Sequence, residues 1–219
     1  MSADEHLSET TRKATRSEGS FCDQLWEDTK SLREEALNSK WIQGIGQGTL
    51  DPKDYGGYMV QDSIYCASVV ENLGIAKKKA DPGSDIFIYL EAQEKYISSY
   101  RDEMFKDWHI KSKDGIYVNP QLQLYMNYTQ SVATTMDPLY FLISLVPGYR
   151  IFYWLAIELG PGSAANNLYQ FWIDTMKTHK GWQRLQKLID AHEEAIKEDT
   201  AKEVYNKCMQ GEVNFFKNC

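Results

Sequence analysis

Histidine and cysteine are both scarce in this sequence, with four of each among 219 residues. Cys22, Cys66, Cys208 and Cys219 show no CxxC spacing, and no Glu-x-x-His pair of the kind that holds two irons between facing helices occurs. His6 lies in a polar N-terminal stretch, His109 at a helix end, and His192 within Asp190-Ala191-His192-Glu193, which reads as a solvated face. Glu91 and Glu94 could share a face but lack a matching histidine, and no proximal heme ligand stands out. Basic residues are also few: 24 Lys and Arg against 31 Asp and Glu give a net charge of −7. Without a basic stripe, nucleic acid is not the expected partner. The one basic run, Lys77-Lys78-Lys79, suits a helix C-terminus. No uninterrupted apolar run would cross a bilayer; Leu139 to Leu159 comes nearest, but Pro147, Gly148, Arg150 and Glu158 interrupt it. It reads as a buried core helix, and no membrane partner is expected. Residues 1–18 have no apolar centre and read as a disordered tail rather than a signal peptide. A cytoplasmic location with reduced thiols follows as the expectation.

Strand-like alternation is missing too. The 3.6-residue period recurs along the chain, and the expectation is an all-α fold: a single-domain bundle of about eight helices over residues 19–219. Helices are expected over Phe21 to Asn38, Asp51 to Lys79, Ser84 to Trp108, Pro120 to Thr134, Asp137 to Gly160, Ser163 to Thr178, Trp182 to Lys197, and from Asp199 onward. Asp51-Pro52 and Asp137-Pro138 are helix starts: the aspartate caps, and proline fits the first turn.

What the sequence does have is tyrosine, fourteen of them, and two acids in unusual places. Tyr55, Tyr58, Met59, Tyr65, Cys66, Val69 and Leu73 form an apolar stripe on one helix, and Asp62 falls inside it. Val204, Tyr205, Cys208, Phe215 and Phe216 mark the buried face of the last helix, and Glu212 lies on it. A carboxylate aimed at a core costs several kcal/mol unless something pairs with it. Each acid is readable as a structural group satisfied by a tyrosine, an arginine or backbone. Together they suggest a buried polar pocket.

The stretch Trp-Ile-Gln-Gly-Ile-Gly-Gln-Gly-Thr-Leu at 41–50, read as a loop, leads into Tyr-Met-Val-Gln-Asp-Ser-Ile-Tyr at 58–65. With Leu-Val-Pro-Gly-Tyr-Arg-Ile-Phe-Tyr at 145–153, Tyr-Gln-Phe-Trp-Ile at 169–173 and Gly-Glu-Val-Asn-Phe-Phe at 211–216, it resembles the TenA family over about residues 20 to 218. The resemblance implies a heme-oxygenase-like helical fold and thiaminase II-like chemistry in thiamin metabolism, the hydrolysis of an aminopyrimidine amino group. It implies no cofactor, no metal, and a homo-oligomer, dimer or tetramer. Carried over residue by residue, Asp62 matches the pyrimidine-binding aspartate and Tyr65 a tyrosine of the same pocket. Tyr125 falls where another pocket tyrosine is common, and Glu212 matches the carboxylate that shuttles protons.

The departures are as informative. Where the family's common branch carries its nucleophile in Leu-Pro-Cys-Tyr-Trp, this chain has Pro147-Gly148-Tyr149. Phe152 and Met176 stand where the family has tyrosines. Glycine has no group with which to attack, so covalent catalysis by the common route is not expected. Cys66, four residues after Asp62, and Cys208, four before Glu212, share faces with the acids and are possible pocket thiols, although neighbouring carboxylates weaken a thiol as a nucleophile. Three readings stay open. The chain binds a small planar heteroaromatic ligand as a degenerate member or pseudoenzyme; or it is a metal-independent hydrolase in which Glu212 activates water; or it is a structural or partner-binding protein with a vestigial pocket.

Overall fold

A computed structural model describes residues 19–163 and 166–218. The expected tail over 1–18 lies outside the described residues, as does Cys219. Among the described residues every regular element is helical. In chain order they are α1 (Phe21–Asp28), α2 (Lys30–Leu37), α3 (Lys40–Gln47), α4 (Pro52–Lys79), α5 (Asp85–Asp107), α6 (Pro120–Thr135), α7 (Pro138–Leu159), α8 (Gln170–Met176), α9 (Gly181–Ala191) and α10 (Glu198–Lys217). Short 3₁₀ turns follow α7 and α9.

The long helices begin where their caps stand. Asp51 accepts a hydrogen bond from the Lys53 N–H, Asn119 from Gln121 and Asp137 from Leu139, each followed by proline in the first turn. Helix α4 packs against α5 and α6, and α10 packs against α7, α6 and α2. Helix α7 is long and apolar enough to cross a membrane by composition alone. Phe141, Leu142, Ile143, Val146, Ile151 and Leu155 are nevertheless buried, and α7 makes the centre of the bundle.

Three segments depart from the sequence expectation. The helix expected over 21–38 breaks at Thr29, whose hydroxyl donates to the Leu25 and Trp26 carbonyls. Such back-bonding competes with the helical ladder and bends the chain. Residues 40–47 are a helix rather than a loop. Ser39 caps its start and Gly48, at φ 70°, ends it in the left-handed conformation that glycine adopts without cost. Its glycines permit close packing: a Cβ on Gly46 would stand 2.7 Å from Leu159 Cδ2. The helix expected over 163–178 is confined to Gln170–Met176.

An aromatic column ties the short N-terminal helices to the bundle. Trp41 packs on Tyr58 with ring centroids 4.3 Å apart, Tyr58 stacks on Phe215 at 4.8 Å, and Phe216 meets Phe152 edge-on at 5.3 Å. Pairs of this geometry contribute about 0.5–1.5 kcal/mol beyond area burial.

Candidate functional site

A cavity of about 490 Å³ opens between α4, α5, α7 and α10. Asp62, Tyr65, Cys66, Gly148, Phe152, Met176 and Glu212 all border it. Tyr125 and Cys208 stand behind the wall: Tyr125 packs between Tyr65 and Glu212, and Cys208 is fully buried. Cys208 shares a helix face with Glu212 by spacing, and Tyr125 comes from the resemblance; a face four residues wide also meets neighbouring helices. Other parts of the wall come from Gln93, Tyr96 and Tyr100 on α5, Tyr149 on α7, and the segment from Thr178 to Arg184. That last segment is polar and carries no periodic signal, so sequence reasoning missed it.

Asp62 reaches the cavity from the middle of α4. Its carboxylate has no hydrogen-bond or ion-pair partner among the described residues, and burial alone pushes its pKa up to about 7. It keeps some exposure because the cavity lies in front of it. Glu212 is 1% exposed and accepts a 2.8 Å hydrogen bond from the Tyr125 hydroxyl, which in turn accepts one of 3.1 Å from Tyr65. Burial raises Glu212 to about 8; the Tyr125 bond opposes this and the nearby Asp62 charge adds to it. The Tyr65 and Tyr125 rings stack at 5.2 Å, and Tyr125 fits because Gly211 has no side chain beneath it: a Cβ there would fall 2.5 Å from the ring.

Gly148 sits one residue after Pro147, inside α7. A Cβ built on it would lie 2.8 Å from Glu212 Oε1. The volume in which a nucleophilic side chain would begin is therefore taken by the glutamate. Cys66 lines the cavity, but burial and the charges of Asp62 and Glu212 hold its thiol well above the ordinary range. Burial does the same to Cys208. Arg101 opposes the rise at Cys66 but counts for less than burial and the two acids, and neither thiol lies at a helix N-terminus of the kind that makes a thiolate. Among the described residues no group of three or more His, Cys, Asp and Glu side chains converges as a metal site would.

On the opposite wall, the Tyr149 hydroxyl donates to Gln93 Oε1 at 3.2 Å, and the amide nitrogen of Gln93 is left for the cavity. A planar ligand here would find aromatic faces at Tyr65, Tyr149 and Phe152, acceptors at Asp62 and Glu212, and a donor at Gln93.

This architecture, an all-helical bundle enclosing one acid-bearing aromatic pocket, is the heme-oxygenase-like helical fold. The chain matches the model of the TENA/THI-4/PQQC family over residues 26–218 and belongs to that family. Among solved structures, a TenA homologue from Pyrococcus furiosus is 17% identical, with a TM-score of 0.78, covering 90% of this chain and 98% of its own. A TenA homologue from P. horikoshii OT3 is 14% identical with a TM-score of 0.75, covering 91% and 97%. A TenA family transcription regulator from Silicibacter sp. TM1040 is 14% identical at 0.76, covering 91% and 96%. No curated protein sequence matches the chain.

Proposed function

We propose that the cavity binds a small planar heteroaromatic bearing an amino group, of the aminopyrimidine class, and that this chain lacks the covalent route of the family's common branch. The observation that carries the reading is Asp62: an enclosed carboxyl with no partner among the described residues, aimed into an aromatic cavity. An unmatched buried polar group is costly, and a ligand N–H would satisfy it. Near neutrality Asp62 exchanges its proton readily, so it can pair with an amino N–H as the anion or with a ring nitrogen as the acid. The test is calorimetric titration with an aminopyrimidine alcohol. Stoichiometric binding that Asp62→Asn weakens supports the reading; absence of binding at millimolar ligand defeats it.

A second reading is favoured by the placement of Glu212 against Gly148. With no nucleophile in the way, its Oε1 borders the cavity and could take a proton from water as that water attacks the amino-bearing carbon, releasing ammonia. The raised pKa means that the base form accumulates only toward pH 8. Ammonia release that increases with pH and disappears in Glu212→Gln would favour this route over binding alone.

A further inference from the structure

Arg150 does not border the cavity, but it stacks on Trp182, which does. Its guanidinium carbon lies 4.5 Å from the centroid of Trp182 on α9 and 4.4 Å from that of Trp26 on α1. One cation from α7 thus joins two indoles from helices far apart in the chain. Its Nη1 donates to Asp23 Oδ1 on α1 at 2.9 Å and to Gln186 Oε1 on α9 at 3.2 Å. The same two helices meet again where Gln186 Nε2 donates at 2.7 Å to the hydroxyl of Ser20, the cap of α1. They meet a third time where the Cys22 N–H donates to Asp190 Oδ1 at 3.1 Å. Trp182 has need of such a clamp. Its indole Nε1 is buried and has no acceptor among the described residues, so no hydrogen bond sets its orientation. It rests on ring contacts, with Arg150 and with Tyr153 at 6.0 Å. The opening turn of α9 has no side-chain cap either.

We propose that Arg150 is a positioning residue for the cavity: anchored to α1 through Asp23 and Trp26, it holds Trp182 and the start of α9 in place as one wall. Helix α1 contributes no residue to the lining, yet it supports that wall through Arg150. Trp26 is itself fixed by a second guanidinium, that of Arg33, 3.9 Å from its centroid. An arginine suits the role and a lysine does not. A planar guanidinium presents a face to an indole while its edge keeps the hydrogen bonds to Asp23 and Gln186; an ammonium is a point charge with no plane to stack. Docking of α1 and closure of the α9 wall are therefore coupled. The proposal concerns the wall and does not depend on what the cavity binds.

The experiment is hydrogen exchange followed by mass spectrometry on the intact, ligand-free chain, read over α1 and α9. Helix α6, which packs on α4, α7 and α10, is the internal control. Arg150→Lys keeps a charge for Asp23 but loses the plane. Asp23→Asn releases the anchor on α1 while keeping its shape. In both variants the α9 amides should exchange about twofold to thirtyfold faster, the range that loss of one such contact gives. Exchange over α6 should stay as it is in the unaltered chain. A merely structural arginine would loosen α1 alone, or every helix alike. Unchanged exchange over α9 in Arg150→Lys would overturn the stacking role. Loosening of α1 without α9 in Asp23→Asn would overturn the link between them. Should Arg150→Lys fail to fold, Asp23→Asn decides by itself, since it alters a carboxylate that is 40% exposed. Whether an aminopyrimidine binds has no bearing on either outcome.

Discussion

Gly148 and Glu212 share one volume: a Cβ on the glycine would come within 2.8 Å of the glutamate Oε1. The absence of a nucleophile at 148 and the position of the acid are thus one structural fact. Restoring cysteine there is accordingly more than adding a thiol. Gly148→Cys should push Glu212 away from Tyr125 and cost about 1–3 kcal/mol of stability, as overpacking does. Hydrolysis should not appear unless Glu212 finds a new position. Denaturant titration and an ammonia-release assay on Gly148→Cys, alone and with Phe152→Tyr, check both statements; brisk turnover at about 1 s⁻¹ by the single variant would refute them.

Asp62→Asn should separate binding from folding. The amide keeps the shape but loses the charge and one acceptor, so affinity for an aminopyrimidine should fall about tenfold to a hundredfold. No buried cation is stranded by the change, since Asp62 has none beside it among the described residues, and melting temperature should hold or increase above neutral pH. A melting temperature that collapses while affinity is preserved would make Asp62 a structural residue.

Stability should depend on pH with a definite sign. Asp62 rises from 3.8 to about 7 and Glu212 from 4.5 to about 8. Between those limits the folded chain holds more protons at these sites than the unfolded chain. Their contribution is therefore fully present below about pH 4 and is lost as pH rises through about 7 to 8. The ligand-free chain should be less stable at about pH 8.5 than at about pH 5.5, by an amount on the order of a few kcal/mol. Denaturation midpoints across that range test this, and the Asp62→Asn, Glu212→Gln double variant should flatten the slope.

Gly211→Ala should matter more than an alanine in a helix usually does. A methyl group there collides with the Tyr125 ring at 2.5 Å and must displace it. Glu212 then loses its hydrogen bond, so its pKa should climb further, since that bond is what opposes burial. Loss of about 1–3 kcal/mol in denaturant titration is expected, with the pH dependence of stability shifted upward.

Much of this was legible in sequence because helix starts carry their own chemistry. The aspartate before Pro52 and Pro138 announces a cap, and each cap forms; Pro120 marks a helix start as well, and there the structure adds Asn119 as the cap. The two acids were legible because a carboxylate on an apolar stripe conflicts with its surroundings. The helix over 40–47 was hidden, since Gly44, Gly46 and Gly48 look like a loop until Leu50 and Leu159 are seen packed against the first two. The rim from Thr178 to Arg184 was hidden for another reason. Its residues are polar and aperiodic, and only the approach of α9 to α7 brings them to the same opening. Cys208 shows the limit of a periodic argument, and Tyr125 that of a position carried over by resemblance: both stand behind the cavity wall. Spacing places a residue on an inner face but does not say whether that face meets the cavity or another helix.

The line of oxygens from Tyr65 through Tyr125 to Glu212 has a polarity. Each hydroxyl has a single hydrogen to give, and both now point toward the carboxylate. Once Oε1 carries its own hydrogen, it can give to Tyr125, Tyr125 to Tyr65, and the Tyr65 hydrogen is turned out toward the cavity. The wall facing the cavity then changes from withholding a donor to offering one. Two O–H bonds rotate and no heavy atom moves, so a bound molecule with an acceptor beside Tyr65 would register as a proton gained by an acid two hydroxyls away.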